Sequence, residues 1–345
     1  MKHLTRVSAL VLLGALTALC TFNSPNSWKK QSTIICGEQK FSPSAASRLQ
    51  AETAPLTFWR PIKGMGPTPL QPSAINQYPI EEDVQRGAHS YKEKEKEGVI
   101  VHDLPLETYL RTQLEELITE APDYAKIFPI QIFLYRDPDH RNAFAAGGGY
   151  IFMSVDRVAH SHSEESLMHD LCHEWGHNAL RHPTGYMTFM HVLFTQQSAL
   201  GAQLNLDEVK EDPARYKLTV FALERMQRNE MDDLRLELHL NELAADVFAI
   251  QLLHKAGYDT SLVTKEYWLR APHFECGLEY WDSHPHDATR ALRMDLERDE
   301  LADTPARVRR NNPSRFAAVQ ARARALIEGR EPQPLLFIDS PAMPR

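Results

Sequence analysis

The stretch His173-Glu174-Trp175-Gly176-His177 constrains this chain more than any other. Two histidines four residues apart on a helix lie one turn apart on the same face. Their ring nitrogens then converge on one point that suits a metal ion. Glu174, between them, is placed to hold and deprotonate a water. The chain carries 16 histidines, so the pentapeptide alone decides little, and the surrounding sequence must supply a fold and a third ligand.

Leu106, Tyr109, Leu110, Leu114, Leu117 and Ile118 fall at helical spacing and predict a helix that ends before Pro122. Residues 130–135, rich in branched and aromatic side chains, read as a strand. Asp137-Pro138-Asp139 reads as a turn, and Gly147-Gly148-Gly149 leads into a second strand over 150–155. Ser161 and Ser163, followed by Glu164 and Glu165, mark a helix start. That helix should run through both histidines to about Arg181 and stop at Pro183. Another helix should cover 231–255, closed by Gly257. A strand pair and a helix pair around one site predict an α+β fold.

A catalytic zinc ion takes three protein ligands and keeps one position for water. The segment from Asn241 to Asp246 offers the third: Glu242 would ligate, and Asp246, one turn on, would accept a hydrogen bond from a liganding imidazole. Ala244 and Ala245 are small enough to let two helices approach closely. Cys172 is expected in the core. His160, His162, His169 and His239 are expected at the surface or in packing, His182 in a structural role, and Trp28, Trp59, Trp268 and Trp281 in the core. Gly64-Met65-Gly66 lacks the strand–helix context of a nucleotide loop.

The start of the chain predicts export. Lys2 and Arg6 precede an uncharged apolar run over 7–19, and Ala18-Leu19-Cys20 offers a cleavage site, so 1–20 reads as a signal peptide. Lipid attachment at Cys20 and an uncleaved anchor are the alternatives. The run is shorter than the roughly 20 residues a membrane span needs. The nearest later stretch, 187–200, is interrupted by His191, Gln196 and Gln197. Eight prolines make 21–98 an irregular extension, with the alternating Lys and Glu of 92–97 as a solvated segment or helix end. A catalytic domain over 99–330 and a tail over 331–345 follow. A formal charge of −8 gives no electrostatic attraction for nucleic acid. Cys36 and Cys276 are a candidate disulfide in an oxidising compartment, a pairing the sequence leaves open.

Taken in order, these blocks resemble the zinc metallopeptidases that include the CAAX prenyl protease and the HtpX-like proteases, especially their soluble exported members. The resemblance spans roughly 104–294. It rests on Asn142-Ala143-Phe144-Ala145 with Gly147-Gly148-Gly149-Tyr150-Ile151, on the HEWGH stretch extended to Arg181-His182, on Glu242 with Asp246, on Ala256-Gly257-Tyr258-Asp259, and on Ser283-His284-Pro285 with Arg290. It implies a zincin-like, gluzincin-like α+β domain with an active-site helix pair and a small sheet. It also implies one zinc ion on His173, His177 and Glu242, with Glu174 as general base. His284 would stabilise an oxyanion or else pack a loop, and His284 and His286 compete for the place nearer the metal. The strand carrying Gly149, Tyr150 and Ile151 would offer a free edge to an extended peptide.

Trp175, where the family usually has an aliphatic residue, and the missing membrane spans are departures. The expected function is a zinc endopeptidase acting on exported or envelope proteins, in the periplasm. Membrane contact is expected only if Cys20 carries lipid. The alternative is a catalytically silent, zinc-stabilised chaperone or adaptor for unfolded envelope proteins.

Overall fold

Two buried helices cross at the centre of the protein, seen here in a computed structural model that describes residues 67–72, 76–137, 141–195, 230–271, 284–308 and 312–335. In chain order the elements are α1 (Ile80–Lys96), β1 (Ile100–Val101), α2 (Leu104–Ile118), a 3-10 turn (Asp123–Lys126), β2 (Gln131–Tyr135), β3 (Ala143–Gly147) and β4 (Tyr150–Ser154). The helices α3 (Val155–His160), α4 (Glu164–Ala179), α5 (His182–Thr195), α6 (Glu230–Lys255), α7 (Thr260–Arg270), α8 (Asp287–Leu301) and α9 (Pro313–Ile327) follow. The crossing pair is α4 and α6. Gly176 makes the crossing tight: a Cβ there would lie 3.2 Å from Ala245 Cα and 3.2 Å from the Phe248 ring. Of the two alanines expected to let the helices approach, Ala245 meets Gly176 of the other helix.

The sheet has the order β1-β2-β4-β3. β2 and β4 run parallel, while β1 and β3 pair antiparallel with their neighbours. Gly148 and Gly149 join β3 to β4 with φ of 62° and 86°, the positive pair that a type I′ hairpin turn requires. At Gly149 a Cβ would also overlap the Pro129 carbonyl. The inner face presents Ile132, Leu134, Ile151 and Met153 to Leu106, Leu110, Leu114, Leu167, Leu171 and Trp175 in one continuous core. The outer face is aromatic: Phe144 stacks on Phe152 at 4.7 Å, and Phe133 meets Tyr91 of α1 at 4.4 Å.

Two expectations need correction. The strand with Tyr150 and Ile151 is interior, hydrogen-bonded to β2 and β3, so it has no free edge; among the described residues that edge belongs to β3. Gly149 is equally occupied, donating to Asn178 Oδ1 at 3.0 Å and accepting from Gln131 N at 2.9 Å. Secondly, 21–98 is not irregular throughout. Beyond Pro79 it forms α1, whose small Gly87 lets the helix lie against the Tyr150 ring and whose charged Lys94–Glu97 end is solvent-facing. The charge repeat is the helix's exposed end.

Ahead of α1 the chain is strapped to the helices. Thr68 donates through N and Oγ1 to Glu297, at 2.9 and 2.6 Å, and its carbonyl accepts from Gln251 at 2.8 Å. Asn76 donates to Thr184 Oγ1 at 2.7 Å. No helix among the described residues is long and apolar enough to cross a membrane. The expected N-terminal signal, Cys20, Cys36, Cys276, the Gly64-Met65-Gly66 stretch, Trp28, Trp59 and Trp281 lie outside the described residues.

Candidate metal centre

The helix carrying His173 and His177 is set by its cap and its floor. Ser163 accepts from Ser166 N at the start, as the sequence predicts. Asn178 ties the other end to the sheet by accepting from Gly149 N and donating to the Tyr150 carbonyl at 3.3 Å. Trp175 points away from the site, fully buried, and donates to the Ala125 carbonyl at 3.0 Å. An indole here fills core volume and has its N–H satisfied. Cys172 is buried too, and burial pushes its thiol up.

On the opposite face His173 Nε2 and His177 Nε2 lie 3.1 Å apart. Glu242 reaches them from α6, with Oε2 at 3.3 Å from His173 and Oε1 at 3.2 Å from His177. One ligand atom from each of the three residues falls within 4.8 Å of the others. The three fit a tetrahedral zinc site with one open position. Glu242 Oε2 is buried with no hydrogen-bond partner, an orphan acceptor that a cation would satisfy. Burial disfavours a charged His173 ring, yet Asp246 and Glu242 outweigh it and raise the group to about 10. Burial would raise the Glu242 carboxyl, and His177 and His173 hold it well below the usual range instead. These donors draw positive charge into the site.

Behind His173, Asp246 Oδ1 accepts from Nδ1 at 2.9 Å, which orients the ring so that Nε2 faces the site. Asp246 is fully buried and clamped by Arg290, Nε to Oδ2 at 2.7 Å and Nη2 to Oδ1 at 2.6 Å. Burial would raise Asp246, but the Arg290 charge keeps it well below the ordinary carboxylate range. Arg290 itself lies over the Tyr267 ring at 4.9 Å. His169 packs edge-on to the same ring at 5.6 Å, buried and held neutral by desolvation.

Behind His177 the neighbour is His182, with Nδ1 to Nδ1 at 2.9 Å. Burial drives the His182 ring well below the usual imidazole range, so it stays neutral. Glu174 is 8% exposed. Burial raises its carboxyl, and the two site histidines only partly offset this.

His284 Nε2 stands 3.5 Å from Glu242 Oε2 and is half exposed, whereas His286 caps α8 by accepting from Ala288 N at 3.1 Å. Between those two, His284 is the one beside the ligand set. His160 and His162 are exposed and His239 is half-buried. Trp268 is partly buried against the core and donates to Asp295 at 2.8 Å. Arg290 belongs to the late block of the sequence resemblance, without a predicted role. Arg181 likewise belongs to the extended HEWGH block without a predicted role, and Tyr267 and Asp83 carry no signal that spacing reveals.

A sequence model of peptidase family M48 matches residues 106–297, more than half of the chain. No curated protein matches the chain.

Proposed function

The chain belongs to peptidase family M48, a family of zinc metallopeptidases, and from that premise we propose an endopeptidase of exported or envelope proteins. It holds one zinc ion per chain on His173, His177 and Glu242, with Glu174 as general base. The observation that carries this reading is the convergence within 4.8 Å of His173 and His177, on the helix that also bears Glu174, with Glu242 of α6.

When bound, zinc supplies Lewis-acid polarisation of the scissile carbonyl and of a water molecule. Glu174 takes the proton of the attacking water and passes it to the departing amine. His284 donates to the oxyanion that develops on the former carbonyl. An extended peptide adds to the sheet along the edge strand β3, pairing with the backbone of Ala143–Gly147. This transfers the substrate role from Gly149, Tyr150 and Ile151 to their hairpin partner. The basic start and apolar run of the first twenty residues support export, and lipid on Cys20 would add a membrane tether.

Glu174→Gln tests the reading, because it keeps the shape of the side chain and removes its basicity. Zinc content should stay normal while peptide hydrolysis falls at least about a hundredfold. Near-normal turnover in the zinc-loaded variant would remove Glu174 from the chemistry. No observation favours the silent adaptor.

A further inference from the structure

Arg181 ends the catalytic helix with φ of 56°, and it is the only non-glycine residue with positive φ among the described residues. A left-handed backbone is unfavourable for an arginine, so the surroundings must hold it. They do so from one direction. Asp83 Oδ2 accepts from Arg181 Nε at 2.8 Å and from Nη2 at 2.6 Å. The Tyr78 carbonyl accepts from Nη2 at 2.6 Å. Asn76 donates to the Arg181 carbonyl at 3.4 Å and to Thr184 Oγ1 at 2.7 Å. Thr184 Oγ1 also donates to the other Asp83 oxygen at 2.6 Å. Asp83 and Thr184 are both fully buried.

The turn at Arg181 has one consequence inside the site. It reverses the chain so that the next residue, His182, points back at His177 and meets its Nδ1 at 2.9 Å. His177 can offer Nε2 as a lone pair only if Nδ1 carries the proton and donates it to His182 Nδ1. His182 must therefore sit within hydrogen-bond reach with its own Nδ1 unprotonated, and the arginine turn sets that position.

We infer that Asp83, outside the segment matched by the family, is a positioning residue for the metal site: it fixes the left-handed Arg181 so that His182 orients the ligand His177. Asp83 lies 98 residues before Arg181 and touches no ligand itself. Its helix α1 is wedged against the Gly147-Gly148 hairpin, where Asp83 O would lie 3.1 Å from a Cβ on Gly147. A segment ahead of the matched family region thereby becomes part of the metal site.

This inference rests on the metal-site reading above, and the experiment separates the two. Zinc affinity of the full chain is measured by chelator competition for the parent, Asp83→Asn, His182→Ala and the double variant. Asp83→Asn should weaken zinc by about tenfold, the lower end for an outer-sphere partner. In the His182→Ala background the same change should have less than about a twofold effect, because the route to His177 is already cut. A general loss of stability would weaken zinc equally in both backgrounds. If Asp83→Asn fails to fold, Arg181→Gly takes its place. Glycine accepts the left-handed backbone without strain but cannot reach Asp83, and its zinc loss should likewise vanish beside His182→Ala. Parent-like affinity in the variant tested, or losses that multiply, overturns the inference while leaving the zinc site in place. A parent chain that binds no zinc overturns both.

Discussion

His173 and His177 sit one turn apart on a single helix, yet what stands behind them differs in kind. Behind His173 is a buried carboxylate, Asp246, clamped by the Arg290 guanidinium, which in turn lies over Tyr267. Behind His177 is a neutral imidazole, His182, placed by a backbone turn that Asp83 and the Tyr78 carbonyl restrain. The first arrangement orients its histidine with charge drawn from α6 and α8, two helices of the core. The second orients it with geometry drawn from the strap and α1. His173 is thus backed by charge, while His177 is held by the conformation of a loop. A metal ion held on this site would face one nitrogen backed by a carboxylate and one backed by an imidazole, beside the Glu242 carboxylate.

The largest contrast should appear in stability. Arg290→Met removes one partner of a buried ion pair with Asp246 and should destabilise the protein by about 3–5 kcal/mol. His182→Ala removes a neutral group and leaves one ring nitrogen of His177 unpaired, which costs about 1–3 kcal/mol. Urea denaturation in the presence of chelator measures both. Equal losses would mean that charge is not what separates the two sides.

Zinc affinity should follow the same ranking with smaller steps. Asp246→Asn keeps shape and loses charge, so metal binding should weaken by about 10–100-fold, whereas His182→Ala should stay near tenfold. Chelator competition reads both values. A greater loss at His182 would reverse the comparison and make the loop-held histidine the dominant brace.

The two sides also differ in how far the sequence reveals them. His173, His177, Glu242 and Asp246 were legible because each pair is spaced i, i+4 on one helix, and helical periodicity is local. The bounds of α2, α4 and α6 follow the predicted ones within about two residues for the same reason. The strand β3 carries a weak sequence signal. Ala143, Ala145 and Ala146 lack the branched side chains that mark strands, though the following triple glycine is a hairpin signal that could have placed it. Missing β3 is what gave the next strand a false free edge. Helix α1 was hidden because its contact with the sheet is made through a glycine and one tyrosine rather than an apolar stripe. The Asp83–Arg181 pair spans 98 residues, and nothing in local spacing connects an aspartate after a proline-rich stretch to the end of a distant helix.

The smallest effect tests the backbone on the His177 side. Both Arg181→Ala and Arg181→Gly lose the guanidinium and leave Asp83 without its partner, so that loss cancels when the two variants are compared. What remains is the left-handed φ of 56°. Alanine adopts it against the clash of its Cβ with the following carbonyl, at roughly 1–2 kcal/mol. Glycine adopts it freely but has more conformational entropy to lose from the unfolded chain, an opposing effect of about 0.4–1 kcal/mol. The glycine variant should therefore be the more stable by about 1 kcal/mol, read as the difference between the two denaturation midpoints at equal slope. If alanine proves equal or better, the residue leaves the left-handed region once its tether is cut. The turn would then be a product of the Asp83 contact alone, which would tie His177 still more closely to the strap.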